Sequence, residues 1–179
     1  FSALGVYGAA LPVALTAQNT MGVAGVHPVP PDFVAAGLKA LFDDLAIDAV
    51  KIGMLPGAEV MEVVRACLAR HPECPVVLDP VMVATSGDRL LPANAVQALR
   101  TLFPLASVIT PNLPEAAALL DAPIAASEDE MLDQACRLLA LGPRAVLVKG
   151  GHRGGTEAVD LLVSAGETRR FATPRIDTA

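Results

Sequence analysis

The sequence predicts an α/β fold, a mostly parallel sheet with helices on both faces. Short apolar runs of strand length alternate with longer stretches of helical periodicity, as repeated strand–helix–strand units require. Apolar residues make up 53% of the 179 residues and charged residues 18%, which excludes a disordered chain and supplies a sizeable core. The length favours a single domain, and the last part of the chain changes to the rhythm of an antiparallel hairpin.

Five apolar runs predict strands, and each ends at a glycine, a proline or a polar residue. The first run is continuously apolar, so we expect a strand that is covered on both faces, as in a parallel sheet. Two later runs, 160–163 and 168–173, flank a turn at Ala165-Gly166 and predict the hairpin. The five strands are predicted at residues 9–17, 49–52, 75–78, 107–110 and 144–149.

Five stretches have apolar residues at helical spacing. The first begins at Pro30-Pro31-Asp32, where proline suits the first helical turn, and Ser127 is the expected N-cap of the last. A glycine-containing loop at 85–88 precedes the third of these helices. The helices are predicted at residues 30–45, 59–70, 93–103, 114–120 and 128–141.

Charge and cysteine content exclude several functions. The chain has 13 basic and 19 acidic residues, a net charge of −6, which disfavours a nucleic-acid partner. The uncharged opening stretch contains glycines and a proline and no basic region, so it predicts neither a signal peptide nor a membrane span. The three cysteines form no CxxC and suit a reducing compartment. We therefore expect a soluble, cytoplasmic protein with no membrane partner.

Polar and small residues gather where the predicted strands end. Ligands bind outside the carboxyl ends of the strands in such a sheet, so these residues are candidates for one site. Carboxylates can hold Mg²⁺, and lysine with glycine amides can neutralise phosphate oxygens. The pattern therefore predicts a phosphate and magnesium site. The candidates are Gln18, Asp79, Asn112, Glu115, Lys149, Gly150 and Gly151.

Each candidate also has a structural interpretation, and the residues alone leave both open. Asp79-Pro80 could simply end a strand, since proline cannot continue a ladder. Asn112 with Glu115 could be a helix N-cap with its capping-box acid. Gly150-Gly151 could merely supply positive φ in a turn. Neither of the two commonest glycine-rich nucleotide loops occurs in the sequence.

A series of motifs spans essentially the whole chain. The motifs are Gly5-Val-Tyr-Gly8, Thr16-Ala-Gln-Asn-Thr20, Val26-His-Pro-Val29, Asp48-Ala-Val-Lys-Ile-Gly-Met54, Asp79-Pro-Val-Met-Val83, Thr110-Pro-Asn-x-x-Glu115 and Val148-Lys-Gly-Gly-His152. In this order they resemble a known family, the bacterial hydroxymethylpyrimidine/phosphomethylpyrimidine kinases of thiamine biosynthesis, within the ribokinase-like superfamily. Pyridoxal and sugar kinases share the Asn-x-x-Glu and Lys-Gly-Gly elements, whereas the Thr-Ala-Gln-Asn-Thr and Lys-Ile-Gly-Met elements point to the pyrimidine enzyme.

The resemblance implies a ribokinase-like three-layer sandwich that uses ATP and Mg²⁺ to phosphorylate a small pyrimidine. On the substrate side it implies that Gln18 reads the aminopyrimidine edge and that Met54 and Val81 are apolar pocket residues. An alternative is a pyridoxine/pyridoxal kinase of the same superfamily, and another is a non-catalytic ligand-binding domain. A homodimer is also expected, from the family and from the apolar composition.

On the nucleotide side, the resemblance implies that Asp79 and Glu115, together with Asn112, organise Mg²⁺ and its waters. It further implies that Lys149, with Gly150 and Gly151 beside it, lies against the nucleotide phosphates. These two sets lie at different strand ends in the sequence. Their roles therefore depend on the fold bringing the strand ends together.

The family pattern extends past both ends of the sequence. It includes a glycine-rich segment before Phe1 and a Gly-Thr-Gly-Cys loop after the match at Arg175-Ile-Asp-Thr178. We therefore expect residues 1–179 to be one kinase domain that is incomplete at both ends. The catalytic residue is expected beyond Ala179, so no residue in the chain is nominated for it, and His152 is given no role.

Overall fold

The computed structural model of the protein describes residues 2–20, 22–82, 95–151 and 156–175. In these ranges the strands form two sheets, one of two antiparallel strands and one of six strands. The predicted loop at 85–88 lies outside the described residues, and so does His152.

The strands are β1 (Ala14–Asn19), β2 (Gly22–Pro28), β3 (Val50–Ile52), β4 (Val76–Leu78), β5 (Val108–Ile109), β6 (Ala145–Lys149), β7 (Glu157–Ser164) and β8 (Thr168–Pro174). The helices are α1 (Pro31–Asp44), α2 (Ala58–Leu68), α3 (Ala95–Arg100), α4 (Leu113–Leu120) and α5 (Glu128–Leu139). All five predicted helices are therefore confirmed. Among the described residues, no helix combines the length and the apolar character needed to cross a membrane.

The large sheet has the order β3-β4-β5-β6-β7-β8, so every strand lies beside its neighbour in the chain. The first four strands are parallel, and β7 and β8 form the predicted antiparallel hairpin. Apolar strands joined by helices favour parallel pairing, because the helix carries the chain back to the start of the next strand. The predicted α/β fold class, with a mostly parallel sheet, is confirmed.

The two faces of this sheet are covered differently. Strand-to-strand crossovers are right-handed, so strands laid down in chain order receive their connecting helices on one face. The burial pattern agrees, because alternate strand residues are buried in one core cluster with side chains from all five helices. Residues between them, such as Val77, Val108 and Leu147, are only partly buried. In the described residues, one face of the sheet is therefore more deeply buried than the other.

The prediction of a buried strand at 9–17 is wrong. The strand in this region, β1, begins only at Ala14 and pairs antiparallel with β2 in the separate two-stranded sheet. Its residues are mostly exposed. A short apolar run does not reveal whether a strand joins the main sheet, and the hairpin partner β2 was not predicted. Asn19 stabilises this hairpin, because its Oδ1 accepts a hydrogen bond of 3.1 Å from Gly22 N.

A serine cap and an ion-pair cluster fix the first turn of α5. The Ser127 hydroxyl accepts a hydrogen bond of 3.2 Å from Glu130 N, which confirms the predicted N-cap of α5. At the same end of this helix, Glu128 pairs with Arg170 of β8 at 2.8 Å, and Arg170 also pairs with Glu157 at 3.0 Å. Hydrogen bonds to these two carboxylates raise the pKa of Arg170. The hairpin is thus linked to the helical layer through one guanidinium.

Candidate active site

At the carboxyl edge of the parallel strands, a carboxylate lies between two lysines. Asp79 directly follows β4, and its backbone N–H donates to Ile52 O of β3 at 2.8 Å. Lys149, the last residue of β6, donates from Nζ to Asp79 Oδ1 at 2.8 Å. The Nζ of Lys51, in β3, lies 3.6 Å from Asp79 Oδ2. Residues in or directly after three strands therefore form one ionic cluster. We call it the Asp79 cluster (Lys51, Asp79 and Lys149).

The Asp79 cluster lies on the sheet face that the helices leave partly open. Lys51 is in register with Val77, and Lys149 follows Leu147 by two residues, which places both lysines on the face of those two apolar residues. The side chain of Asp79 is 21% exposed, that of Lys149 37% and that of Lys51 49%. All three side chains are thus partly exposed in the part of the chain that the structure describes.

Asn112 and Glu115 form the capping box of α4. Asn112 Oδ1 accepts from Glu115 N at 2.8 Å, and Glu115 Oε2 accepts from Asn112 N at 2.8 Å. Glu115 is only 5% exposed. The capping interpretation is thus confirmed, and it engages the carboxylate that was assigned to magnesium. That assignment of Glu115 stays a prediction.

The cap lies beside the Asp79 cluster, because β6 and the start of α4 are joined through the backbone. Asn112 and Lys149 form an isolated parallel bridge, and Lys149 N donates to Pro111 O at 2.8 Å. The fold therefore brings together Asp79, Asn112 and Lys149, as predicted from the strand ends. Their roles toward a nucleotide stay predictions.

Gly150 is buried against the neighbouring strand. A Cβ at this position would come within 1.9 Å of Val159 O, a distance that no side chain tolerates. Gly150 N donates to Asp160 Oδ1 at 2.9 Å, which holds the turn against β7. Neither Gly150 nor Gly151 is among the positive-φ glycines of the described residues, so that interpretation is wrong. The close approach of Gly150 is to protein backbone.

Gly151 differs from its neighbour because it is exposed and a Cβ there would meet nothing within 4 Å. Its carbonyl oxygen accepts a hydrogen bond of 3.0 Å from Arg175 Nη1. The turn after β6 is therefore held on one side by Gly150 and on the other by Arg175, and only Gly151 offers open space to a ligand.

The predicted pyrimidine-side residues occupy two regions. Met54 and Val81 follow β3 and β4 and are partly exposed, so they lie at the same edge of the sheet as Asp79. Gln18 is exposed in β1 of the small sheet, at an irregularity in the pairing between Ala17 and Gln18. The first two therefore share the strand-end region, and Gln18 belongs to a separate element.

Lys51 is the site residue that sequence reasoning missed. It is one of three lysines in the chain, of which only Lys149 was assigned to the site. The available signal was a charged residue inside a short parallel strand, where apolar residues are expected on both sides. The contact itself depends on strand register, which a single sequence does not display.

The donors of the site fit a divalent cation that arrives with other ligands. Among the described residues, no group of three or more His, Cys, Asp or Glu could form a metal cage. Mg²⁺ is commonly held by one or two carboxylates together with substrate phosphates. Asp79 offers one such carboxylate, and because two ammonium groups already pair with it, a cation there would need anionic ligands of its own.

An acid, two lysines and an open glycine at the carboxyl edge of a parallel sheet define an α/β protein of the phosphate-handling kind. The particular family follows from comparison with known proteins. The chain belongs to the phosphomethylpyrimidine kinase family, which it matches over residues 1–179.

Named relatives agree with this family. The chain is 52% identical to a hydroxymethylpyrimidine/phosphomethylpyrimidine kinase of Salmonella typhimurium, over 99% of this chain and 67% of that protein. It is 53% identical to the corresponding kinase of Escherichia coli, with the same two coverages of 99% and 67%. The predicted resemblance to these kinases is confirmed.

Solved structures share the fold. A phosphomethylpyrimidine kinase from Clostridium difficile has a TM-score of 0.86 and 38% identity, over 95% of this chain and 73% of that chain. A Bacillus subtilis pyridoxal kinase in an ADP complex has a TM-score of 0.81 and 33% identity, over 92% of this chain and 62% of that chain. The two activities therefore occur on one ribokinase-like scaffold.

Proposed function

We propose that this chain belongs to an ATP-dependent kinase that phosphorylates 4-amino-5-hydroxymethyl-2-methylpyrimidine and then its monophosphate in thiamine biosynthesis. The observation that carries the proposal is the contact between Asp79 and Lys149 at the carboxyl edge of the sheet, in a chain of this family. The names of the relatives support the same activity.

The charged residues have distinct proposed roles toward the nucleotide. Lys149 is 37% exposed and would turn its ammonium group from Asp79 to a phosphate oxygen. Asp79 and Glu115, together with Asn112, would hold Mg²⁺ and its waters, and the exposed Gly151 would let phosphate approach the backbone. When bound, Mg²⁺ would supply positive charge that neutralises the phosphates. These residues thus act by positioning and electrostatics.

Gln18, Met54 and Val81 are proposed to hold the pyrimidine. A primary amide offers a donor and an acceptor side by side, which matches the edge of an aminopyrimidine. Gln18→Leu is expected to weaken pyrimidine binding by about tenfold, the scale of a lost buried hydrogen-bonding group. Gln97→Leu is a matched control, because Gln97 is exposed on α3. Equal affinity of the Gln18 variant and the wild type would remove Gln18 from the pocket.

Two titrations by calorimetry test the proposed function directly. The first measures binding of the non-hydrolysable nucleotide AMP-PCP in the presence of Mg²⁺, and the second measures binding of the hydroxymethylpyrimidine. We expect both ligands to bind and the nucleotide affinity to fall in Lys149→Met. A wild-type chain that binds neither ligand would contradict the proposal and favour a different ligand-binding domain.

A pyridoxal kinase is the second candidate. The observation that favours it is the likeness to solved pyridoxal kinases, including one from Staphylococcus aureus with pyridoxal bound, at a TM-score of 0.81 and 26% identity. Parallel titrations with the pyrimidine and with pyridoxal separate the two. Tighter binding of pyridoxal by more than about tenfold would reverse the substrate assignment.

We also propose that the protein is a homodimer. Light scattering of the purified protein measures its molar mass in solution and tests this proposal.

A further inference from the structure

Lys51 has no role in the function proposed above, yet it lies next to the carboxylate of that function. The chain has three lysines, and two of them, Lys51 and Lys149, contact Asp79. The third, Lys39, pairs with Asp43 on the surface of α1. Two of the three lysines therefore lie at one carboxylate. A general need for surface charge, as for solubility, does not explain this placement.

Stability does not explain the position of Lys51. Its Nζ lies 3.6 Å from Asp79 Oδ2, an ion pair longer than a hydrogen bond, and its side chain is 49% exposed. Such accessible pairs contribute little to stability, because solvent screens them. A lysine between Val50 and Ile52 also takes a place where a parallel strand would ordinarily be apolar. The position therefore points to a ligand that the ammonium group meets.

The charges of the Asp79 cluster favour one form of the ligand over another. Two ammonium groups and one carboxylate leave a net positive charge around Asp79. A free divalent cation at Asp79 would lie close to two like charges, and it would compete with the 2.8 Å hydrogen bond from Lys149. A cation already bound to a polyphosphate brings anionic oxygens that both lysines can meet.

We propose that Lys51, acting with Lys149, makes the Asp79 site select a divalent cation carried by a nucleotide polyphosphate and disfavour the free cation. The inference rests on the proposed function, since it assumes that Asp79 holds the metal of a nucleotide. Lys51 is a positioning residue in this scheme. It sets the charge of the ligand that the site accepts, and it takes no part in bond making or breaking.

Two binding measurements test this role without measuring activity. One is a titration with Mn²⁺ alone, followed by electron paramagnetic resonance, and the other is calorimetry with AMP-PCP in the absence of divalent cations. Lys51→Met is expected to bind Mn²⁺ alone about three- to tenfold more tightly, because one repelling charge is gone. The same variant is expected to bind metal-free AMP-PCP more weakly by about the same factor.

Two matched variants separate charge at the site from charge in general. Lys51→Arg keeps the cation and should stay within about twofold of the wild type in both titrations. Lys39→Met removes the same charge from an ion pair on α1 and should also leave both affinities unchanged. Circular dichroism checks the fold of each variant, and Lys51 is accessible enough for its substitution to be tolerated.

The outcomes distinguish failure of this inference from failure of the proposed function. If Lys51→Met binds Mn²⁺ and metal-free AMP-PCP like the wild type, while AMP-PCP with Mg²⁺ still binds, only the inference is overturned. Weaker Mn²⁺ binding in Lys51→Met also overturns it, because Lys51 would then help to hold the metal. A wild-type chain that binds no AMP-PCP with Mg²⁺ overturns both.

Discussion

The two faces of the six-stranded sheet differ in what their side chains do. On one face, residues such as Leu78, Ile109 and Val146 are fully buried in the core shared with the helices. On the other face, Val77, Val108 and Leu147 are partly exposed, and this face carries the Asp79 cluster at its carboxyl edge. The same strands thus present a packing surface on one side and a polar, accessible surface on the other.

Stability and binding are therefore separable here at the level of neighbouring residues. Side chains alternate between the faces of a strand, so two consecutive residues can have opposite roles. Substitutions on the helix-covered face should act on the free energy of unfolding. Substitutions on the open face should act mainly on ligand affinity, and four experiments can test the contrast.

The largest expected effect comes from a matched pair in β7. Leu161 is 5% exposed in the core, whereas Leu162 is partly exposed and faces Leu147 across the strands. Leu161→Ala should lower the free energy of unfolding by about 2–5 kcal/mol, the range for a truncated core leucine. Leu162→Ala should lower the free energy of unfolding by about 1 kcal/mol, since folding buries less of the apolar area of this side chain. Urea denaturation measures both, and equal losses would contradict a one-sided core.

The second effect, on stability, is expected at Gly150 in the turn that follows β6. Gly150→Ala forces a Cβ toward Val159 O and should cost about 1–3 kcal/mol through displaced backbone. Gly151→Ala adds the same methyl group in open space and serves as the control. Thermal unfolding of the two variants compares them. A Gly150→Ala protein as stable as the control would mean that β7 can shift away from the turn.

The third effect is small in stability and large in binding. Asp79→Asn removes a carboxylate that is 21% exposed and leaves two lysines near each other. The melting temperature should change little, because accessible ion pairs contribute at most about 1 kcal/mol each. Binding of AMP-PCP with Mg²⁺ should weaken by about tenfold or more, since the proposed metal ligand is lost.

The control for this variant is Asp43→Asn, which breaks the ion pair with Lys39 on α1. It removes the same charge far from the strand ends and should leave nucleotide affinity unchanged. An Asp79→Asn protein that unfolds readily would show instead that the cluster is part of the stability of the sheet.

The smallest effect concerns the reaction rates of the three cysteine thiols, which also differ in burial. Cys136 is exposed on α5, whereas Cys67 and Cys74 are buried. Burial raises the pKa of the Cys74 thiol, so less thiolate is present at pH 8 and its reaction with a disulfide reagent slows. We expect one fast thiol and two slow ones, followed by absorbance. Two fast thiols in the native protein would contradict this burial.

Local features of the fold could be predicted because few residues determine them. The Ser127 cap and the Asn112–Glu115 capping box each depend on residues three apart in the chain. The mostly parallel sheet followed from the alternation of apolar runs and helical stretches. At 9–17 the same rule was wrong, because an apolar run does not show which strand it will pair with.

Contacts between distant residues could be anticipated only in part. The carboxyl-edge rule brought Asp79 and Lys149 together, since both end parallel strands. It did not identify Lys51, which reaches the same carboxylate because of the register between β3 and β4. The need for glycine at 150 depends on the position of Val159 in another strand, a distance that composition and spacing cannot supply.

The order of the large sheet has a consequence for how the chain folds. Because each strand from β4 to β8 pairs with the one just before it, a growing polypeptide has always made the pairing partner of these strands already. The loops to be closed stay short compared with those of sheets whose strands interleave, which lowers the entropic barrier to pairing. These six strands can therefore pair one after another, from β3 to β8, in the direction of synthesis.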